Sequence, residues 1–190
     1  MDQPDIDAVL GVIAPPQRHL QHRGDHRGTY VVGANPADTM PPAMQFIDAA
    51  RERSARLIVI DPRTTKTAAG AFRHLQPVPG TDLALANGML NIAVREKLID
   101  DAYVAERTTG FEAVRRTVRT YWPDRVERIT GVPEQDIADT IHALASAEHA
   151  IILTARGAEQ HRSGSDTVVA YINLALALGL TYRIGSRRSK

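Results

Sequence analysis

The chain has 190 residues, 43% hydrophobic and 24% charged, with a net charge of +1 and no cysteine. These proportions suit a soluble globular chain of one domain and part of another, and give no bulk argument for nucleic acid or a membrane surface. They also exclude disulfides, thiolate metal ligands, iron–sulfur ligation and cysteine nucleophiles from this chain. No apolar run spans a bilayer and no charged-then-apolar signal segment opens the sequence, so a cytoplasmic protein with neither nucleic acid nor membrane as partner is expected.

Residues 1–28 differ in character from the rest of the chain. A weakly amphipathic start is broken by Pro15 and Pro16, and a polar, basic stretch succeeds it with almost no apolar support. His19, His22 and His26 have a spacing that could ligate a metal from one helix face, but Gly24 weakens such a helix, and no set of ligands is completed beyond Asp25. A disordered leader is the expectation here.

Order is predicted to begin with a short β-branched strand at 29–33 that ends in glycine. The loop Gly33, Ala34, Asn35, Pro36, Ala37, Asp38 leads to a helix that Pro41 and Pro42 begin, with Asp38 or Thr39 as its cap. Ala43, Phe46, Ile47 and Ala50 recur at helical spacing and predict one face packed on a sheet. The run Leu57, Ile58, Val59, Ile60 reads as a fully buried strand, stopped at once by Asp61, Pro62 and Arg63. Thr64, Thr65, Lys66 and Thr67 then offer hydroxyls and a cation, at the carboxyl end of a strand, where open parallel sheets bind ligands.

Residues 74–79 predict a short extended edge, and Gly80, Thr81 and Asp82 precede a helix over 83–96. Two roles for Asp82 stand side by side: a helix cap, or an acceptor for the two N–H groups of a guanine edge. Helices over 98–108 and 111–121, a short turn of helix at Pro123 carrying Val126 and Ile129, and a helix over 134–147 read as packing. Trp122 is expected in the core or in a lid. A further buried strand at 150–153 ends in a polar loop running to His161, and Ser165 or Asp166 caps a last helix whose Val169, Ile172, Leu176 and Gly179 line one side. The first loop lacks the spaced glycines of a dinucleotide fingerprint, which counts against a nicotinamide enzyme, although Asp61 stands about where a ribose-binding acid would.

The succession GANPADTMPPAMQ, LIVIDPRTTKTA, HLQPVPGTDLALANGML, AYVAERTTGFEAVRR with ERITGVP, and ARGAEQHRSGSDTVVAYINLALALGL resembles the molybdopterin oxidoreductase family, and within it looks closest to bacterial assimilatory nitrate reductases. The resemblance implies an α/β fold with a mainly parallel sheet flanked by helices, Rossmann-like, as a fragment of a larger multidomain enzyme. It implies a molybdenum bis(molybdopterin guanine dinucleotide) cofactor, bound between α/β domains, and a reaction from nitrate to nitrite. Gly33, Ala34, Asn35 and Asp38 match the loop around a guanine dinucleotide tail. Asp61, Pro62 and Arg63 match the strand end beside its ribose and phosphates. Gly80, Thr81 and Asp82 match the segment that reads the guanine, and Arg156, Gly157, Gln160 and His161 match a loop that approaches a pterin. No catalytic residue and no metal ligand is assigned in this chain.

The departures from the family pattern carry their own expectations. The family's iron–sulfur module, the segment that ligates molybdenum and the carboxy-terminal barrel are missing, Phe72 stands where an acidic residue is usual, and TYRIGSRRSK replaces a glycine- and proline-rich loop. The expected partners are therefore the missing domains of the same enzyme and an electron-donor protein or subunit, with the iron–sulfur cluster only in the missing part. The isolated chain is expected to be inactive. The alternatives are a non-catalytic remnant or interaction module, a formate dehydrogenase-type fragment, and a nucleotide-binding Rossmann protein of another kind. The expected organisation is an unmatched leader at 1–28, a cofactor-binding domain at 29–147, the start of an adjoining α/β domain at 148–182 and a basic tail at 183–190.

Overall fold

The computed structural model describes residues 27–147 and 149–180. Most of the expected leader, with His19, His22 and His26, and the whole basic tail lie outside the described residues.

Four strands form one all-parallel sheet: β1 (Arg27–Val32), β2 (Arg56–Ile60), β3 (Arg73–Leu75) and β4 (His149–Thr154), in the order β3-β2-β1-β4. β1 begins at Arg27, so the last two residues assigned to the leader belong to the sheet. The expected boundary at 147/148 does not separate two sheets, because β4 pairs with β1 from Arg27↔His149 to Val32↔Thr154. Hydrogen bonding to β1 places β4 on the side away from β2.

Alternation along the strands divides the core between two faces. Tyr30, Val32, Ile58, Ile60 and Leu75 face one cluster, and Val31, Leu57 and Val59 face another. The second face is covered by α2 (Pro41–Glu52), through Ile47, and by the single turn α3 (Lys66–Ala69), through Ala68. A short turn, α1 (Pro36–Thr39), precedes α2. Asp38 and Thr39 lie inside α1 rather than capping α2, whose N-cap position is Met40.

The first face is covered by α4 (Asp82–Arg95) together with α6 (Phe111–Val118), α7 (Pro123–Thr130), α8 (Glu134–Ser146) and α10 (Gly164–Ala177), while α5 (Asp101–Arg107) packs on α10. α4 is buried along nearly its whole length and is the helix the others pack around. It approaches α7 so closely that a Cβ on Gly88 would stand 2.8 Å from Val126 Cγ2.

Three local expectations change in the fold. α10 starts at Gly164, with Ser163 at its N-cap position, so Ser165 and Asp166 do not cap it. Its packed stripe is Thr167, Ala170, Tyr171, Leu174 and Ala177, while Val169 and Ile172 are about half exposed, at 53% and 51%. The small residues Ala170 and Ala177 let this stripe lie against α4, which rotates the bulky β-branched residues outward. Trp122 is likewise 52% exposed and carries the Arg95 guanidinium 5.4 Å above its ring, as a surface cation–π pair and not a core residue.

Candidate functional site

The carboxyl ends of the four strands converge on one edge of the sheet. The order β3-β2-β1-β4 makes the gap between β1 and β4 the point where successive connections leave in opposite directions, the position at which open α/β sheets form a ligand crevice.

Two glycines close that gap. Gly33 N donates to Ile60 O at 2.8 Å, and Gly157 N donates to Gly33 O at 2.9 Å. A Cβ on Gly157 would meet Gly33 O at 2.5 Å, and a Cβ on Gly33, where φ is +61, would meet Ala158 N at 2.3 Å. The loops after β1 and β4 are thus in backbone contact, and this contact is what requires glycine at both positions. Ala34 beside them packs against the second face.

Asn35 and Asp38 belong to a polar brace. The Asn35 amide Nδ2 donates to Asp38 Oδ2 at 2.7 Å, and its Oδ1 accepts from the Thr67 hydroxyl at 2.8 Å. The Thr67 oxygen in turn accepts from Ala37 N at 3.1 Å, and Lys66 Nζ donates to Asp38 Oδ1 at 2.6 Å. The hydrogen bond from Lys66 holds the Asp38 carboxyl below the usual carboxylate range, helped by the one from Asn35. Lys66 and Thr67, absent from the predicted site, fix the shape of this loop; the run of threonines around a lysine signals the chemistry but not its partner. Because Thr67 is buried, Thr67→Val should leave Ala37 N–H unpaired and Asn35 Oδ1 with only the long hydrogen bond from Thr67 N, 3.4 Å, and cost about 2 kcal/mol. Urea unfolding with amide exchange at Ala37 checks this; an unchanged midpoint with Ala37 still protected counts against it.

At the end of β2, Asp61 is 2% exposed and its Oδ1 accepts from Arg63 N at 2.8 Å and Arg63 Nε at 3.4 Å. This local turn stops the strand, and it projects the Arg63 side chain, 77% exposed, into solvent. Pro62 is exposed, its carbonyl accepting from Gln76 Nε2 at 3.2 Å. His74 Nε2 lies 2.8 Å from the Asp61 carbonyl oxygen and ties β3 to this turn.

The loop after β3 carries Gly80, at φ +84, and crosses the strand ends until Gly80 faces His161: a Cβ there would stand 3.8 Å from His161 Nδ1. Thr81 holds the N-cap position of α4 without capping it, since its hydroxyl donates to Val78 O at 2.6 Å. Asp82 is therefore the first residue of α4 and not its cap. It is 6% exposed. Burial raises its pKa above the usual carboxylate range; its own backbone N–H and His161 pull the other way, and Asp61 adds to the rise. Asp61 and His161, from the loops after β2 and β4, are thus both within electrostatic reach of Asp82.

Arg156 opens the single turn α9 (Arg156–Glu159), and Gln160 N closes it on Arg156 O at 2.9 Å. Arg156, Gln160 and His161 are all exposed. The strand-end edge thus presents two buried carboxyls and, around them, the exposed cations Arg63 and Arg156 and the exposed imidazole of His161. Carboxylates of this kind accept from hydroxyls and ring N–H groups, and the guanidiniums suit phosphate oxygens. Among the described residues, no group of three or more His, Asp or Glu side chains is placed to hold a metal ion, and no helix is long and apolar enough to cross a membrane.

A family model described as molybdopterin oxidoreductase matches residues 29–187. Formate dehydrogenase H of Escherichia coli (strain K12) is 39% identical over 150 residues, which cover 79% of this chain and 21% of that protein. The assimilatory nitrate reductase catalytic subunit of Bacillus subtilis (strain 168) is 35% identical over 149 residues, which cover 78% of this chain and 21% of that protein. Among solved structures, acetylene hydratase from Pelobacter acetylenicus superposes with a TM-score of 0.78 at 28% identity, over 93% of this chain and 25% of that one. The chain thus spans about a fifth of the length of these curated relatives. Formate- and nitrate-acting relatives stand at similar identity, so the similarity establishes a family and does not separate these two reactions.

Proposed function

Because the chain belongs to the molybdopterin oxidoreductase family, we propose that its strand-end edge holds the guanine nucleotide tail of a molybdopterin guanine dinucleotide, as part of a protein that reduces nitrate to nitrite. The family's cofactor is a molybdenum–molybdopterin group. The observation that carries the proposal is the carboxyl of Asp82, 6% exposed at the strand ends and within electrostatic reach of Asp61 and His161. A buried carboxylate is costly to keep ionised, and a guanine edge offers it two donors. Asp61 faces the same edge and suits ribose hydroxyls, while Arg63 and Arg156 suit the diphosphate.

The residues fit such a tail, and each has a task. Asp82 reads the base, Asp61 orients the sugar, and the Gly33–Gly157 contact keeps the two loop backbones low enough to admit it. The bound group supplies two-electron redox chemistry, with the balance NO3⁻ + 2e⁻ + 2H⁺ → NO2⁻ + H2O. No acid, base or nucleophile for that chemistry is assigned to this chain. The second reading, a formate dehydrogenase, has the support of the 39% identity to formate dehydrogenase H. Nitrite formation from nitrate, set against formate oxidation by the full-length protein, separates the two.

The nucleotide assignment is tested on the chain itself by calorimetric titration with GDP and ADP. Binding of GDP in clear preference to ADP is expected. Equal affinities, or no binding of either, would count against a guanine site.

A further inference from the structure

The ends of three helices meet at one corner of the molecule. Asn91 in α4 donates its Nδ2 amide to the carbonyl of Val118, the last residue of α6, at 2.9 Å. Arg95, one turn further along α4, holds its guanidinium 5.4 Å from the ring centre of Trp122, which precedes α7. Arg125 in α7 reaches back to the same turn: its Nη1 donates to Thr120 O at 2.7 Å, and its guanidinium stands 5.9 Å from the ring centre of Tyr121. Arg119 begins this turn and is exposed. Three guanidiniums and two aromatic rings thus gather on one short stretch of chain and the helix end beside it.

The acids close to them in sequence are already engaged. Glu96 pairs with His142, Asp124 pairs with Arg128 at 3.0 Å, and Glu127 accepts from Glu134 N at 2.8 Å. Among the described residues, none of Arg95, Arg119 and Arg125 pairs with a carboxylate. Tyr121 rests partly on the first-face core, but Trp122 leaves 52% of its surface in water. A surface built only for solvation favours lysine and glutamate. Tryptophan, tyrosine and arginine are instead the residues that dominate protein–protein contacts, because each joins a large flat face to a polar or charged end.

We propose that this corner is a docking surface for an acidic segment of a protein partner. Carboxylates of that segment pair with the planar forks of Arg95, Arg119 and Arg125, and its apolar side chains cover Trp122. The chain's net charge of +1 favours an acidic protein over nucleic acid: the positive charge is local, without the broad field that a phosphate backbone calls for. α4 runs from Asp82 at the strand ends to Arg95 at this corner, about 20 Å away. The surface is therefore distinct from the nucleotide site and does not depend on it.

The test uses the full chain and a short fluorescein-labelled peptide of glutamate and leucine. It reads the emission of Trp122, the one tryptophan of the chain, and the anisotropy of the label. Binding is expected to shift Trp122 emission. Arg95→Gln and Arg119→Gln are each expected to weaken binding about tenfold, with Tm unchanged. Arg53→Gln removes an exposed guanidinium at the end of α2, across the sheet from this corner, and should bind as the parent does. No peptide binding, or binding that leaves Trp122 emission unmoved, overturns the proposal. An equal loss in Arg53→Gln overturns it as well, since the attraction is then one of bulk charge. Tighter binding of oligothymidylate than of the peptide would make the corner a nucleic-acid surface instead.

Discussion

Replacing Gly33 by alanine is expected to destabilise the chain by about 3 kcal/mol or more and to abolish nucleotide binding. Two costs add at this position. The backbone sits at φ +61, where an L side chain is strained by about 1 kcal/mol. The new Cβ would also stand 2.3 Å from Ala158 N and 2.8 Å from the Gly157 carbonyl carbon, both backbone atoms that cannot swing aside. Relief requires the β1 and β4 loops to part, which breaks the hydrogen bond from Gly157 N to Gly33 O and opens the switch point. Gly110→Ala is the control: it shares the left-handed conformation, at φ +75, but has nothing within 4 Å, and should cost about 1 kcal/mol. Urea unfolding of the two variants separates the terms. Equal losses would show that the loop contact contributes nothing.

Asp82→Asn is expected to lower GDP affinity about 100-fold and leave ADP binding unchanged, because each charge-assisted hydrogen bond contributes about 1.5–3 kcal/mol and the amide offers a donor where a guanine edge needs an acceptor. Its effect on stability should have the opposite sign at neutral pH. Burial raises the folded-state pKa of Asp82 above the usual carboxylate value, with Asp61 adding to the rise against its own backbone N–H and His161. The folded chain holds this proton more tightly than the unfolded chain does. The associated stability is therefore full below the usual carboxylate range and lost as pH rises through the raised value. Asparagine has no such proton to lose. The variant should match the parent at low pH and exceed it increasingly as pH rises through the raised value. Tm measured against pH checks the sign; a parent that gains on the variant as pH rises would show that the Asp82 charge is well solvated.

The sheet is legible in the sequence because its strands are short β-branched runs with polar stops. Leu57 to Ile60 reads as a buried strand because both of its faces are apolar, and in the fold both faces are covered. The strand ends are legible for the same reason: Asp61, Pro62 and Arg63 can only end a strand. The brace at the first loop is not, since Asn35 and Thr67 meet across 32 residues, and no local spacing encodes that pair. Helix caps depart from expectation where a hydroxyl has a better partner nearby, as Thr81 has in Val78 O. The packed face of α10 departs from it because hydrophobicity favours Val169 and Ile172, whereas close approach to α4 favours Ala170 and Ala177.

Leu153 on β4, with Val169 and Ile172 on α10, is exposed among the described residues. Scattered apolar side chains at a surface are ordinary.

The backbone amide NMR footprint of GDP on the ¹⁵N-labelled chain tests the strand-end assignment most directly. Shift changes are expected to gather at Gly33 to Asn35, Asp61 and Arg63, Gly80 to Asp82, and Arg156 to His161, and to be weak or absent with ADP. Changes centred elsewhere, or the same footprint with both nucleotides, would contradict a guanine nucleotide site at the carboxyl ends of these strands.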